Sequence, residues 1–180
     1  MQKYFLALVP EGKIQDEATA LKYELKDAFN VKYALKSPAH VTMKMPFVYN
    51  EAKEGVLLAK LRQFTQEFHS MKIQVDGVET FGQRVIFLGI AADADLISFQ
   101  QELKLYCKRE LNLVDELSDR NFHPHMTIAF KDLKKNNFQQ VLDFAKAKAI
   151  QGVFEAQHLC LLKRESGRWT VYQKIDFGKK

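Results

Sequence analysis

Apolar residues recur along this chain in two periods that take turns. From Lys3 to Val9 they run nearly unbroken, which predicts a strand ended by Pro10-Glu11-Gly12. Ile14, Ala18, Leu21, Leu25 and Phe29 then fall on one helical face, predicting a helix over Ile14 to Asn30. A connector with Ser37-Pro38 leads into a second strand, His40 to Tyr49, with Pro46 at its end or on an edge. Val56, Leu57, Leu61, Phe64 and Phe68 predict a second helix, Glu51 to His69. Ile73, Val75 and Val78 alternate, and Val85 to Ile90 is a short apolar run, so this stretch reads as a strand pair joined through residues 79–83.

Helical spacing returns at Leu96, Phe99, Leu103, Tyr106, Cys107 and Leu111. A polar loop, Leu113 to Asn121, leads to a strand at Phe122 to Phe130. A helix over Asn136 to Ala149 turns Phe138, Val141, Leu142 and Ala145 inward. Two strands close the chain, Val153 to Lys163 and Trp169 to Phe177, with Ser166-Gly167 in the turn.

The order strand, helix, strand, helix from Lys3 to His69 repeats from Val85 to Ala149. In the same slot of each copy stands a His-x-Thr triplet, His40-Val41-Thr42 and His125-Met126-Thr127, with Pro38 or Pro124 just upstream. On a strand, side chains two apart share a face, so each triplet presents an imidazole and a hydroxyl together. Two such strands about a pseudo-twofold axis would face each other across one cleft. A neutral imidazole takes a proton and a protonated one delivers it, as displacement at phosphorus requires on opposite sides. The threonine hydroxyls suit the non-bridging oxygens, where negative charge accumulates. No metal or other cofactor is needed for these steps.

Composition narrows the setting. The 180 residues are 47% hydrophobic and 27% charged, the balance of an ordinary globular chain, and make one domain, 1–180, of two lobes without a linker. No apolar run reaches membrane-spanning length, and the N-terminus lacks signal-peptide anatomy, so a cytoplasmic protein with no membrane partner is expected. Cys107 and Cys160 are too few for a disulfide framework and read as buried thiols. The net charge of +5 favours an anionic partner.

The paired triplets in a duplicated frame resemble the 2H phosphoesterase superfamily, and within it the LigT-like group often called 2′-5′ RNA ligases. Lys3-Tyr4-Phe5-Leu6-Ala7-Leu8 is similar to that family's first strand. Phe122-His123-Pro124-His125-Met126-Thr127-Ile128-Ala129 is similar to its second motif. The resemblance spans nearly the whole chain. It implies an α+β fold of two antiparallel-rich sheets with outer helices around a central cleft. It implies phosphodiesterase chemistry on a 2′,3′-cyclic phosphate, at an RNA end or a small nucleotide, with possible ligase activity. His40 and His125 are then the catalytic pair and Thr42 and Thr127 the phosphate-binding pair. Relatives often carry an Arg shortly after the second triplet, where this chain offers Lys131.

Further candidates for substrate contact are Lys44, Lys131, Phe47 and Tyr4. Arg84 and Arg168 are possible phosphate contacts, and Phe81, Trp169 and Tyr172 possible stacking surfaces. His123 and His125 form a His-x-His pair near Glu116, Asp119 and Asp132, an alternative metal site that lacks a second ligand cluster. His69 reads as a surface residue and His158 as a structural one. A monomer is expected. The rival to an enzyme is a non-catalytic RNA- or nucleotide-binding module on the same fold.

Overall fold

A computed structural model describes residues 1–178. Its elements run β1 (Gln2–Leu8), α1 (Lys13–Phe29), β2 (Val41–Tyr49), α2 (Glu54–Thr65), β3 (Met71–Phe81), β4 (Val85–Ile90), α3 (Ala94–Leu111), α4 (Leu117–Arg120), β5 (His125–Phe130), α5 (Phe138–Ala147), β6 (Gly152–Ala156), β7 (His158–Glu165) and β8 (Arg168–Asp176). The strands form two four-stranded antiparallel sheets, β2-β1-β7-β8 and β5-β4-β3-β6. This is the duplicated α+β architecture expected from the sequence. Each triplet strand, β2 or β5, is the edge strand of its own sheet, and the two edges lie against each other.

The helices follow from their apolar stripes and caps. Ile14, Ala18, Leu21 and Leu25 bury one face of α1. Asn30, left-handed at φ 56°, ends α1, and Asn112, at φ 53°, ends α3. The Asp93 carboxylate accepts the Leu96 amide at 2.8 Å and starts α3. One continuous core joins both sheets, from Leu6 and Val41 in the first to Ile86 and Met126 in the second. A smaller apolar cluster of Phe5, Ala7, Cys160 and Leu162 covers the opposite face of the first sheet, with Trp169 against it. Among the described residues no helix is long and apolar enough to cross a membrane.

Two elements differ from the sequence expectation. The strand expected over Val153 to Lys163 is two strands. Gly152–Ala156 pairs with β3 in the second sheet, and after Gln157 the chain joins β1 in the first. Apolar periodicity reports burial and is blind to a change of pairing partner. The polar loop before β5 also contains α4, one short turn closed by reciprocal bonds between Glu116 and Asp119.

Candidate active site

Each triplet strand carries the same irregularity in the same place. In the first sheet Leu8 pairs with Val41, Ala7 with Thr42 and Leu6 with Lys44, leaving Met43 as an extra residue. In the second, Leu88 pairs with Met126, Phe87 with Thr127 and Ile86 with Ala129, leaving Ile128 extra. A bulge therefore follows the threonine in both copies. Two successive residues, Met43-Lys44 and Ile128-Ala129, turn into the interior, while the histidine and threonine before them stay partly exposed.

The bulge relocates Lys44. Strict alternation places it beside His40 and Thr42, but it lies fully buried on the other side. Its ammonium pairs with the Asp119 carboxylate, lies 3.6 Å from Asp115 and donates to the Val114 carbonyl at 2.8 Å. Asp119 also accepts the Met45 amide at 2.7 Å and the Glu116 amide at 2.9 Å. This network ties the first triplet strand to the segment that leads into the second. Tyr4 and Phe47 are likewise interior residues, paired across β1 and β2 with ring centroids 6.0 Å apart. The Tyr4 hydroxyl bonds the Glu54 carboxylate, which also accepts Lys163 at 2.8 Å and Tyr172 at 2.9 Å. These three expected substrate contacts are thus buried in the interior.

The two imidazoles are anchored alike. Nδ1 of His40 lies 2.7 Å from the Pro38 carbonyl oxygen, and Nδ1 of His125 lies 2.7 Å from that of His123. A carbonyl oxygen only accepts, so each Nδ1 carries the hydrogen and each Nε2 keeps a free lone pair. Aromatic rings hold both in place. His40 packs on Phe5 at 4.8 Å, and His125 on Phe81 at 5.0 Å and Phe87 at 5.1 Å. A cavity of about 110 Å³ lies where the sheets meet, lined by Thr42, Met43 and Met45 from one and Phe81, His123 and His125 from the other, with Asp119 beside them; His40 and Thr127 do not line it. Neither threonine hydroxyl has a protein hydrogen-bond partner among the described residues. Two larger hollows lie elsewhere on the surface, one between α2 and α3 and one beside β6.

Desolvation dominates the electrostatics. Burial lowers the His40 pKa to about 4; the Pro38 bond opposes this, while the charges of Lys22 and His125 add to it. That His125 acts on His40 places the two imidazoles within electrostatic reach. Burial also depresses His125, opposed by the His123 carbonyl and assisted by the His123 ring. An anion between them would reverse the effect by favouring the imidazolium form.

The remaining candidates are dispersed. His123 is exposed, with its ring centroid 6.3 Å from that of His125. Asp119, one of its supposed fellow ligands, is committed to Lys44. Among the described residues no group of three or more His, Cys, Asp or Glu is arranged to hold a metal ion. Arg84 lies exposed in the β3–β4 turn. His158 bonds Asp176 at 2.7 Å. Cys107 and Cys160 are buried free thiols. Lys131 donates to the Tyr33 hydroxyl at 3.0 Å, and Trp169 packs on Phe5 at 4.8 Å.

The model of the 2′-5′ RNA ligase superfamily matches residues 10–168. The chain belongs to this superfamily. Among its relatives, a protein of Oceanobacillus iheyensis, provisionally named a phosphoesterase, is 29% identical over 98% of this chain and 99% of its own. A Bacillus licheniformis protein of the same provisional name is 26% identical over the same shares. In fold the chain is similar to a Thermus thermophilus protein, TM-score 0.68 at 14% identity over 98% of both chains. It is also similar to E. coli LigT solved with 3′-AMP, TM-score 0.61 at 16% identity over 99% of this chain and 98% of that one. The LigT-like architecture and the superfamily expected from the triplets are therefore both found.

Sequence reading missed what holds the imidazoles. Pro38 and His123 act through backbone carbonyls, which no side-chain pattern reveals. Phe5 and Phe87 passed as ordinary strand residues, although Phe87 is the partner of Thr127 and Phe5 lies two positions from Ala7, the partner of Thr42.

Proposed function

We propose that this superfamily member is a metal-independent phosphoesterase that opens a 2′,3′-cyclic phosphate at an RNA end or on a small nucleotide. The observation that carries the reading is the matched Nδ1-to-carbonyl anchoring of His40 and His125, which leaves two Nε2 atoms for proton transfer. One neutral imidazole removes a proton from water as its oxygen attacks phosphorus. The other, protonated, delivers a proton to the ribose oxygen as the ring P–O bond breaks. Thr42 and Thr127 donate to the non-bridging oxygens, and the imidazolium offsets the developing charge. The depressed imidazole pKa values suit this use, because the bound phosphate favours the proton that the empty site disfavours. The positive net charge and the 3′-AMP complex of E. coli LigT support a nucleotide substrate.

The test is turnover of a nucleoside 2′,3′-cyclic phosphate by EDTA-treated protein. Opening to a single phosphomonoester is expected. Binding without turnover would make the chain a nucleotide-binding module. Turnover lost on chelation and restored by zinc or manganese would replace the two-histidine scheme with a metal site.

A further inference from the structure

Two chains of contacts leave the imidazoles, one ending at Arg164 and the other at Tyr33. From His40, the ring of Phe5 leads to Trp169 at 4.8 Å, and the Arg164 guanidinium lies 5.8 Å from the Trp169 ring. From His125, β5 runs past its bulge to Phe130, opposite Val85 and so on the face of Phe87 and Thr127. The Phe130 ring meets Tyr33 edge-on at 5.0 Å. Tyr33 sits on a short turn pinned to the end of β5, where the Asp132 carboxylate accepts the Lys32 and Tyr33 amides at 2.9 and 2.8 Å.

Cations gather there from both sheets. Lys131 takes a left-handed conformation at φ 58° and places its ammonium 4.5 Å from the Tyr33 ring. Lys36 stands 4.6 Å from that ring. Arg168 donates to the Leu35 carbonyl at 2.9 Å, in the same turn. Among the described residues none of these lysines and arginines, nor Arg164, lies within ion-pairing distance of a carboxylate. Elsewhere cations do find carboxylates, as Lys163 does with Glu51 and Glu54 and Lys174 with Glu11. The positive potential is strong enough to lower the Tyr33 pKa, chiefly through the Lys131 bond, although burial opposes it.

We propose that Tyr33, Lys36, Lys131, Arg164 and Arg168 form a second phosphate subsite, which takes the phosphodiester next to the reacting cyclic phosphate and selects an RNA oligonucleotide end over a mononucleotide. The inference rests on the function proposed above. A cluster of unpaired cations beside aromatic rings is the usual means of holding a single-stranded backbone and its bases. The position fits because Phe5 and Trp169 link it to His40, and a base can stack on the half-exposed Trp169 between the two phosphates. Lys131 then serves this subsite, not the reacting phosphate.

The experiment compares a dinucleotide ending in a 2′,3′-cyclic phosphate with the mononucleoside cyclic phosphate, on wild type and on Lys36→Gln/Arg164→Gln. Calorimetric binding of the corresponding dinucleotide and mononucleotide 3′-phosphates runs alongside. Wild type is expected to favour the dinucleotide in kcat/KM and in affinity by roughly ten-fold, the scale of one or two charge-assisted contacts. That preference should shrink with added salt and largely vanish in the variant, whose fold is checked by circular dichroism. Equal handling of the two ligands by wild type, or an unchanged preference in the variant, would overturn the subsite. Tighter dinucleotide binding without turnover of either cyclic phosphate would retain the subsite and reject the phosphoesterase.

Discussion

His40 and His125 share one anchoring, each giving its Nδ1 hydrogen to the carbonyl two residues upstream at 2.7 Å. Strands in different sheets thus present the same tautomer with the same free nitrogen. Nitrogen-15 NMR of the free protein should find both imidazoles as the Nδ1–H tautomer at neutral pH. Both should titrate below the ordinary 6.5, with His40 the lower of the two. A Nε2–H tautomer at either position would remove the free lone pair that the mechanism uses.

The same shifts set the pH dependence of catalysis. The kcat/KM profile reports the free enzyme, in which one imidazole must be neutral and the other protonated. Both titrate below 6.5, so the profile should peak on the acidic side of 6.5 and decline as pH rises beyond it. Stability moves the other way. Between the lowered folded value of His40, about 4, and its unfolded value, 6.5, the unfolded chain binds more protons. Stability should therefore fall as pH drops through that window, which acid titration of the melting temperature will show.

Lys22 is a buried ammonium whose one hydrogen-bond partner among the described residues is the Ser37 carbonyl at 3.2 Å. Burial lowers its pKa from 10.5 to about 8, a gap equivalent to about 3 kcal/mol against the folded state at neutral pH. The unfolded chain holds this proton more tightly, so wild type should gain stability as pH rises from 8 toward 10.5. Lys22→Met should be more stable at pH 7 by about 1–2 kcal/mol after loss of the Ser37 bond. It should also raise the His40 pKa, since the Lys22 charge lowers it. Denaturant melts and imidazole titration of the variant check both effects.

The Lys44–Asp119 pair joins the two triplet segments inside the protein. Lys44→Met leaves the Asp119 carboxylate buried with two backbone amides and no cation. Removing one partner of such a pair costs about 3–5 kcal/mol. The Lys44→Met/Asp119→Asn double variant should recover part of that loss, because no uncompensated charge remains. Urea melts of the single and double variants give the comparison.

Much of this was legible in the chain. Periodicity gave most of the element order, and the paired His-x-Thr triplets gave the superfamily and the strands that meet at the cleft. Lys44 shows where such reading stops. Period-two alternation put it beside His40, but one extra residue in the ladder reversed its face, and a bulge leaves no composition signal when the residues around it are apolar. Tyr33 was invisible for another reason. It lies outside any regular element that periodicity detects, and only the folded chain brings Lys131 and Arg164 to it.

The most direct test of the two-histidine account is the pH profile of cyclic-phosphate turnover in wild type, His40→Ala and His125→Ala. Each variant, folded by circular dichroism, should lose roughly 10²- to 10⁴-fold in rate. Each should also lose one limb of the bell, a different limb for each histidine, which identifies the base and the acid. A folded His125→Ala protein with undiminished turnover would contradict the account.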